Sequence, residues 1–332
     1  MRFSLQMHSL NTIDSWIQLA CKAEDYGFAE IRIAERINFP FPTWPTLFLM
    51  AEHTSRIGLG TGVTNPYSRH PALTAKYIAF LDIYSEGRAT LGIGQGDSWQ
   101  FDQLGINHAH PLSSLREAVL VVRHLLKSDS TPFDGKVFRI PSGFQIGCQP
   151  YRENLPIFVG SGSPGGMRVA GAVADALHLP FCLDHTYIEF ARKHKQEGMV
   201  NNGREGETIP IVCSPLVSIS TDRQIAIQHA QVRLAEFIEW AKTPCRHLGI
   251  PEDLVTRLGD AHRSKDHSYL FKNVTSEILQ AFTVAGTPSD VIEQLETLEA
   301  AGIHHVTLSS PGPDLNEALR LIGADVLPHF ST

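Results

Sequence analysis

About eight times along the 332 residues, a short strand-forming run is followed by a helix with an apolar face, and few folds accept that rhythm. The first unit reads as a strand at Arg2–Met7 and a helix over Asp14–Tyr26. Ile17, Ala20, Cys21 and Ala23 lie at helical spacing in that helix, and Gly27 closes it. Further strands are expected at Phe28–Ala34, Arg56–Val63, Ala89–Gly94, Pro156–Gly160, Asp175–Leu179, Ile209–Ser220 and His305–Ser309. A helix starting at Pro71 is expected to bury Leu73, Tyr77, Phe80, Leu81 and Tyr84, and Thr287-Pro288 is a favourable helix start. The fold class is therefore α/β, a (β/α)8 TIM barrel: one domain over residues 1–332, with insertions at the C-terminal face at about 128–152 and 243–279. The first insertion reads as a hairpin over the barrel mouth, the second as polar helices and loops. A doubly wound open sheet would carry a glycine-rich phosphate loop after its first strand, and His8–Ile13 has no glycine.

Charge narrows the partners. The formal net charge is −7 with no basic run, which argues against nucleic acid. No segment approaches the ~18 uninterrupted apolar residues of a membrane span. Met1–Met7 runs directly into a strand without the pattern of a signal peptide, so a cytoplasmic location is expected. The 5 cysteines are scattered and never spaced as CxxC, as suits reduced thiols in such a compartment.

In a parallel barrel the chemistry lies at the C-terminal strand ends. Gly60 and Gly62 stand inside a strand that would prefer bulk, and the same style returns at Leu91–Asp97 and Val159–Gly166. Such glycines mark a bulge or the close approach of a ligand or another backbone, and a flat ligand is expected there. The strand ends carry His8, Glu35, Arg36, Thr64, Asn65, Gln95, Asp97 and Ser161–Gly166. No lysine lies within the strands, which weakens a Schiff-base aldolase. No HxH or HxxE motif ends a strand, so no metal centre is expected. There is no GxSxG nucleophile elbow. A mouth rich in glycine and poor in acids and bases suggests that a bound cofactor does the chemistry. Ser161, Gly162, Ser163, Gly165 and Gly166 open a helix and suit a phosphate, or form a flexible connection. Asp97 is a proton donor or acceptor beside a ring, or a helix N-cap. Glu35 and Arg36 pair with each other or, with Arg69, meet a polar ring edge or anionic tail. His8 is a substrate contact or a core histidine. His262, His267, His304 and His305 read as solvated, and Trp44 and Trp99 as loop residues near the mouth that wall a pocket or pack.

Gly58–Ala72 followed by Leu91–Asp97 resembles the luciferase-like monooxygenase superfamily, most closely its deazaflavin-dependent branch typified by methylenetetrahydromethanopterin reductase. Ser161–Pro164 with Ala170–Ala176, and Ala285–Pro288 with Ala301–Gly302, are similar to the family's phosphate loop and last unit. The resemblance implies a homodimeric oxidoreductase that moves hydride between coenzyme F-420, an 8-hydroxy-5-deazaflavin, and a small organic substrate. It implies a non-prolyl cis peptide at Gly62-Val63 behind the ring. Gly62, Val63, Thr64, Asn65 and Gln95 would then contact the cofactor, and the Ser161–Gly166 loop its phosphate. Asp97 and Glu35 are the catalytic candidates, and His8 and Arg36 the substrate contacts. The sugar-phosphate dehydrogenase branch ends its second strand in Asp-His, where this chain has Glu35-Arg36, and carries a glutamate where this chain has Asp97. Alternatives are an FMN-dependent monooxygenase using reduced flavin and oxygen, a non-catalytic flavin-binding relative, and a cofactor-free barrel lyase.

Overall fold

The computed structural model describes residues 1–330. Its strands are β1 (Arg2–Met7), β2 (Glu30–Ile33), β3 (Gly58–Thr61), β4 (Ala89–Gly94), β5 (Phe133–Asp134), β6 (Arg139–Ile140), β7 (Ile157–Gly160), β8 (Ala176–Pro180), β9 (Ile211–Ser214), β10 (Leu216–Ile219), β11 (Thr283–Gly286) and β12 (His305–Gly312). Eight of them, β1-β2-β3-β4-β7-β8-β9-β12, close in parallel through the β12–β1 pairing, so the chain is a (β/α)8 barrel. The expected seventh strand is split. Its register against β12 shifts between Leu216 and Ser218, and β10 turns away to pair with β11, a strand not expected from the sequence. The antiparallel pair β5–β6 lies in the first insertion. Four helices, Lys242–His247, Glu252–Ser264, His267–Asn273 and Ser276–Phe282, fill most of the second.

Alternation along β1 sends Phe3, Leu5 and Met7 outward into the helix-packed core and Ser4 and Gln6 into the barrel. The barrel interior is unusually polar. Arg32 pairs with Glu30 at 2.7 Å, donates to Thr307 Oγ1 at 3.2 Å, and lies 4.1 Å above the Phe158 ring. His305, expected in solvent, is bonded to Ser4 Oγ at 2.7 Å, because the parity of β12 turns it inward. This bulk on one side is matched by glycine on the other. A Cβ at Gly92 would lie 2.1 Å from Phe158 Cζ and 2.2 Å from the Thr61 carbonyl oxygen; one at Gly62 would lie 2.8 Å from Arg32 Cβ. These glycines let Arg32, Phe158 and neighbouring backbone pack closely inside the barrel.

The helix Pro71–Tyr84 also departs from expectation. Ala75, Ile78, Ala79 and Leu81 form its buried side, while Leu73, Tyr77, Phe80 and Tyr84 face outward, Leu73 being 52% and Phe80 50% exposed. A helix that is apolar all round gives no periodic sign of which face meets the barrel, and here the small residues do so. Among the described residues no helix is long and apolar enough to cross a membrane.

Candidate active site

The strand ends surround a cavity of about 1350 Å³ that reaches from Gln6 and His178 on the floor to Trp240–Pro244 on one wall. The Gly62-Val63 peptide is cis, as the resemblance implied. The Val63 side chain fills the space that a Cβ at Gly94 or Gly160 would need, each lying 2.8 Å from it. Glycine on β4 and β7 therefore seats the bulge, and Gly62 and Val63 line the cavity.

Backbone bonds lock the following residues. Thr64 N–H donates to the Gly92 carbonyl and Gly94 N–H to the Thr64 carbonyl, both at 2.8 Å. Thr64 is buried and donates its hydroxyl to Glu35, so its side chain supports the wall and does not line the cavity. Asn65 lines it, and its Oδ1 accepts the N–H groups of Tyr67 and Ser68 at 2.9 and 2.8 Å. Gln95 Oε1 accepts from Ser163 Oγ at 3.4 Å, which ties the fourth strand end to the Ser161–Gly166 loop. Ser163 caps the helix Pro164–Val173 by accepting Gly166 N–H at 3.3 Å. Ser161, Gly162 and Ser163 line the cavity; Gly165, packed against Leu112, and Gly166 stand behind them in the first helical turn.

Glu35 and Arg36 do not pair with each other, since adjacent side chains diverge at the end of β2. Arg69 grips both Glu35 oxygens, one of them at 2.7 Å, while Arg36 pairs with Asp97 and stacks 4.4 Å from the Trp240 ring. Asp97 has two roles. Its Oδ1 accepts Trp99 N–H at 3.1 Å, capping the short helix Ser98–Gln103, and its Oδ2 takes Arg36 and Gln100. Trp44 lies in the helix Thr43–Glu52, not a loop, where it is buried, stacks on Tyr77 and lines the cavity. Trp99 is 58% exposed and takes no part. His8 stands between the main cavity and a side cavity of about 330 Å³, its Nδ1 2.7 Å from Ser310 Oγ. Burial, with Arg233 and Arg36 nearby, lowers its pKa to about 3.

The sequence reading missed Gln6 and His178. Each is a lone polar residue between apolar neighbours, Leu5 and Met7 or Leu177 and Leu179, and that inward parity was the available signal. Burial holds His178 well below the ordinary histidine pKa, so it is neutral. Eight buried side-chain polar atoms lack a partner among the described residues, and four of them belong to residues that line this cavity: Gln6 Oε1, Trp44 Nε1, Ser68 Oγ and His178 Nε2. All four atoms are shielded from solvent, so they sit in the wall behind the cavity surface while other atoms of the same residues line it. Among the described residues there is no group of three or more His, Cys, Asp or Glu side chains able to hold a metal ion.

A family model described as luciferase-like monooxygenase matches residues 1–305. The chain is 34% identical over 314 residues to a 5,10-methylenetetrahydromethanopterin reductase of Archaeoglobus fulgidus, covering 92% of each. It is 30% identical over 325 residues to the enzyme of that name from Methanopyrus kandleri, covering 93% of this chain and 92% of that one. Among solved structures, the coenzyme F-420 dependent tetrahydromethanopterin reductase from Methanopyrus kandleri matches with a TM-score of 0.89, at 28% identity and with 99% of both chains covered.

Proposed function

The chain belongs to the luciferase-like monooxygenase family, and from that premise we propose that it is an oxidoreductase transferring hydride between coenzyme F-420 and a small organic substrate. The observation that carries this reading is the makeup of the cavity. It is lined by glycines, aromatic rings and neutral polar side chains, while both carboxylates at its edge, Glu35 and Asp97, are already engaged by arginines. Such a site can bind and orient a ring system but has no unengaged acid–base pair of its own. The likeness to an F-420 dependent reductase over 99% of both chains favours the deazaflavin over FMN.

When bound, the deazaflavin supplies the hydride donor or acceptor. Gly62 and Val63 back its ring; Asn65 and Gln95 border it, and Thr64 braces the bulge from behind. Ser161, Gly162 and Ser163 hold the phosphate, helped by the helix start at Gly165 and Gly166. Asp97, oriented by Arg36, steers the proton at the reacting edge. Glu35 acts through Arg69 as a positioning residue, and Arg36 and His8 meet the substrate. For the substrate we favour an N-methylene tetrahydropterin, the class in the names of the two archaeal relatives. We read the chain as one barrel domain and place it in the cytoplasm, where its 5 free cysteines would stay reduced. It works as a homodimer through the outer face of the helix Pro71–Tyr84, whose Leu73, Tyr77, Phe80 and Tyr84 form an apolar patch.

The test is titration of the purified protein with F-420 and with FMN, followed by fluorescence. Saturable F-420 binding and anaerobic oxidation of reduced F-420 by a methylene tetrahydropterin are expected. Tight FMN binding without F-420 binding sinks the reading, and F-420 binding with no turnover of any acceptor would leave a non-catalytic binding protein.

A further inference from the structure

The side cavity of about 330 Å³ lies between the ends of β1 and β12 and the helix Arg223–Phe237. His8, Arg36, Phe39 and Trp240 line both cavities and form the partition between them. The charged residues lining the side cavity are Arg36, Arg233 and Glu236, two guanidiniums against one carboxylate. Asp97, the partner of Arg36, lines only the main cavity. Arg233 gives Nη1 to Glu236 and lies 4.9 Å over the Phe237 ring, while its Nε and Nη2 make no hydrogen bond among the described residues. His8 and His229 each turn Nδ1 to a serine hydroxyl, Ser310 at 2.7 Å and Ser218 at 2.8 Å. Their Nε2 atoms make no hydrogen bond among the described residues and are not solvent-shielded orphans, so both keep accessible surface. Burial keeps the two rings neutral, with the pKa lowered to about 3 for His8 and about 4 for His229. With each serine hydroxyl donating to Nδ1, the ring proton sits on Nε2, which is then a donor.

We propose that the side cavity is a subsite for a carboxylate at the end of the substrate's arm, with Arg233 as the residue that selects it. This rests on the proposed hydride-transfer reading, which puts the reacting ring in the main cavity. Unengaged guanidinium N–H groups and two imidazole donors suit an oxyanion. Glu236 limits its charge. It offsets one of the two guanidiniums, so a monoanion balances the cavity and a phosphate dianion would leave charge uncompensated. A carboxylate fills only part of the volume, and Met7, Phe39, Pro311 and Leu315 offer apolar surface to the carbons that precede it. The cofactor is not the occupant. On the same reading its phosphate is held after β7, and β7 stands four places from β1 in the closed ring of strands, on the opposite side of the mouth. A substrate with an acid-ended arm is thereby preferred over the same ring without one.

Arg233→Gln and Glu236→Gln test this from opposite sides. The acceptor is methylene tetrahydrofolate, whose arm ends in glutamate. Arg233→Gln should raise its KM roughly tenfold, the scale of one charge-assisted hydrogen bond. Glu236→Gln, which frees the guanidinium, should lower KM, and a residue with a purely structural role would not tighten binding when replaced. Both variants should keep kcat and the Kd for F-420 near wild type. Added salt should raise KM for the wild type and leave that of Arg233→Gln unmoved. A second measurement needs no turnover: glutarate titrated into the free protein by calorimetry should bind most tightly to Glu236→Gln and least to Arg233→Gln. Equal KM values and equal glutarate binding across the three proteins overturn the proposal. So does a rise in the F-420 Kd with KM unchanged, which puts the cofactor's acidic end in the cavity. If the wild-type protein oxidises reduced F-420 with no methylene tetrahydropterin, the functional reading falls, while the glutarate series still decides the subsite.

Discussion

Arg36 and Asp97, 61 positions apart, are joined across the mouth by an ion pair, whereas Glu35 is held by Arg69, 34 positions away. On the proposed role of Asp97 in steering the proton, Asp97→Asn should lower kcat about 10²-fold, the usual scale for a proton-handling group, with F-420 affinity nearly unchanged. Unchanged turnover would remove Asp97 from the mechanism. Glu35→Gln should raise KM more than it lowers kcat, since it loosens Arg69 without touching the reacting atoms. The glycines allow a sharper stability test. Gly92→Ala meets Phe158 and a backbone oxygen at about 2 Å and should cost roughly 3 kcal/mol or more, whereas Gly58→Ala, with its nearest contact at 3.1 Å, should cost much less. Urea midpoints of the two variants decide it. At this scale the sequence located Asp97, Glu35 and Arg36 at the strand ends but not their partners, because contacts over such separations are set only when the barrel closes. It marked Gly60 and Gly62 as places of close approach but not that Thr90 and Arg32 are what approach them, since a glycine does not name its neighbour.

Among the elements, the helix Pro71–Tyr84 shows where periodic patterns stop informing. Its start was legible from Pro71, but with Leu, Tyr, Phe and Ile on one side and Ala, Ile and Leu on the other, the pattern marks no polar face. The helix start at Thr287-Pro288 was readable because it is local, and the structure completes it with Asp290 as a capping box. β11 was not, because Thr283–Gly286 is too short to show alternation. If the aromatic side of Pro71–Tyr84 meets a second copy, the wild-type protein should run as a dimer in light scattering, and Phe80→Asp should shift it to monomer at micromolar concentration. A monomeric wild type would reject the interface. Tyr77 stacks on Trp44 and both line the cavity, so the dissociated variant should also bind ligand more weakly.

For the molecule as a whole, the polar barrel interior sets the response to acid. His8 and His305 are lowered to about 3 and His178 well below its ordinary value, each mainly by burial. Their folded pKa values lie below the unfolded one, so the unfolded chain binds more protons under mildly acidic conditions. The stability these histidines contribute is complete above about pH 6.5 and is lost as pH falls toward the folded values, about 3 for His8 and His305. Urea unfolding at pH 7 and pH 5 should show a clear drop in midpoint, and equal midpoints would contradict it. The walls of the cavity have different origins. Its floor comes from glycine-cleared strands, where the Cβ of an alanine at Gly62, Gly92, Gly94 or Gly160 would fall within 2.8 Å of a neighbouring atom. The wall at Trp240–Pro244 leads into helices that pack chiefly against one another and against the helix Arg223–Phe237. Heritable change is therefore channelled: the glycine-cleared floor admits no added side chain, whereas substitutions in residues 240–282 can reshape one wall of the cavity without disturbing the barrel.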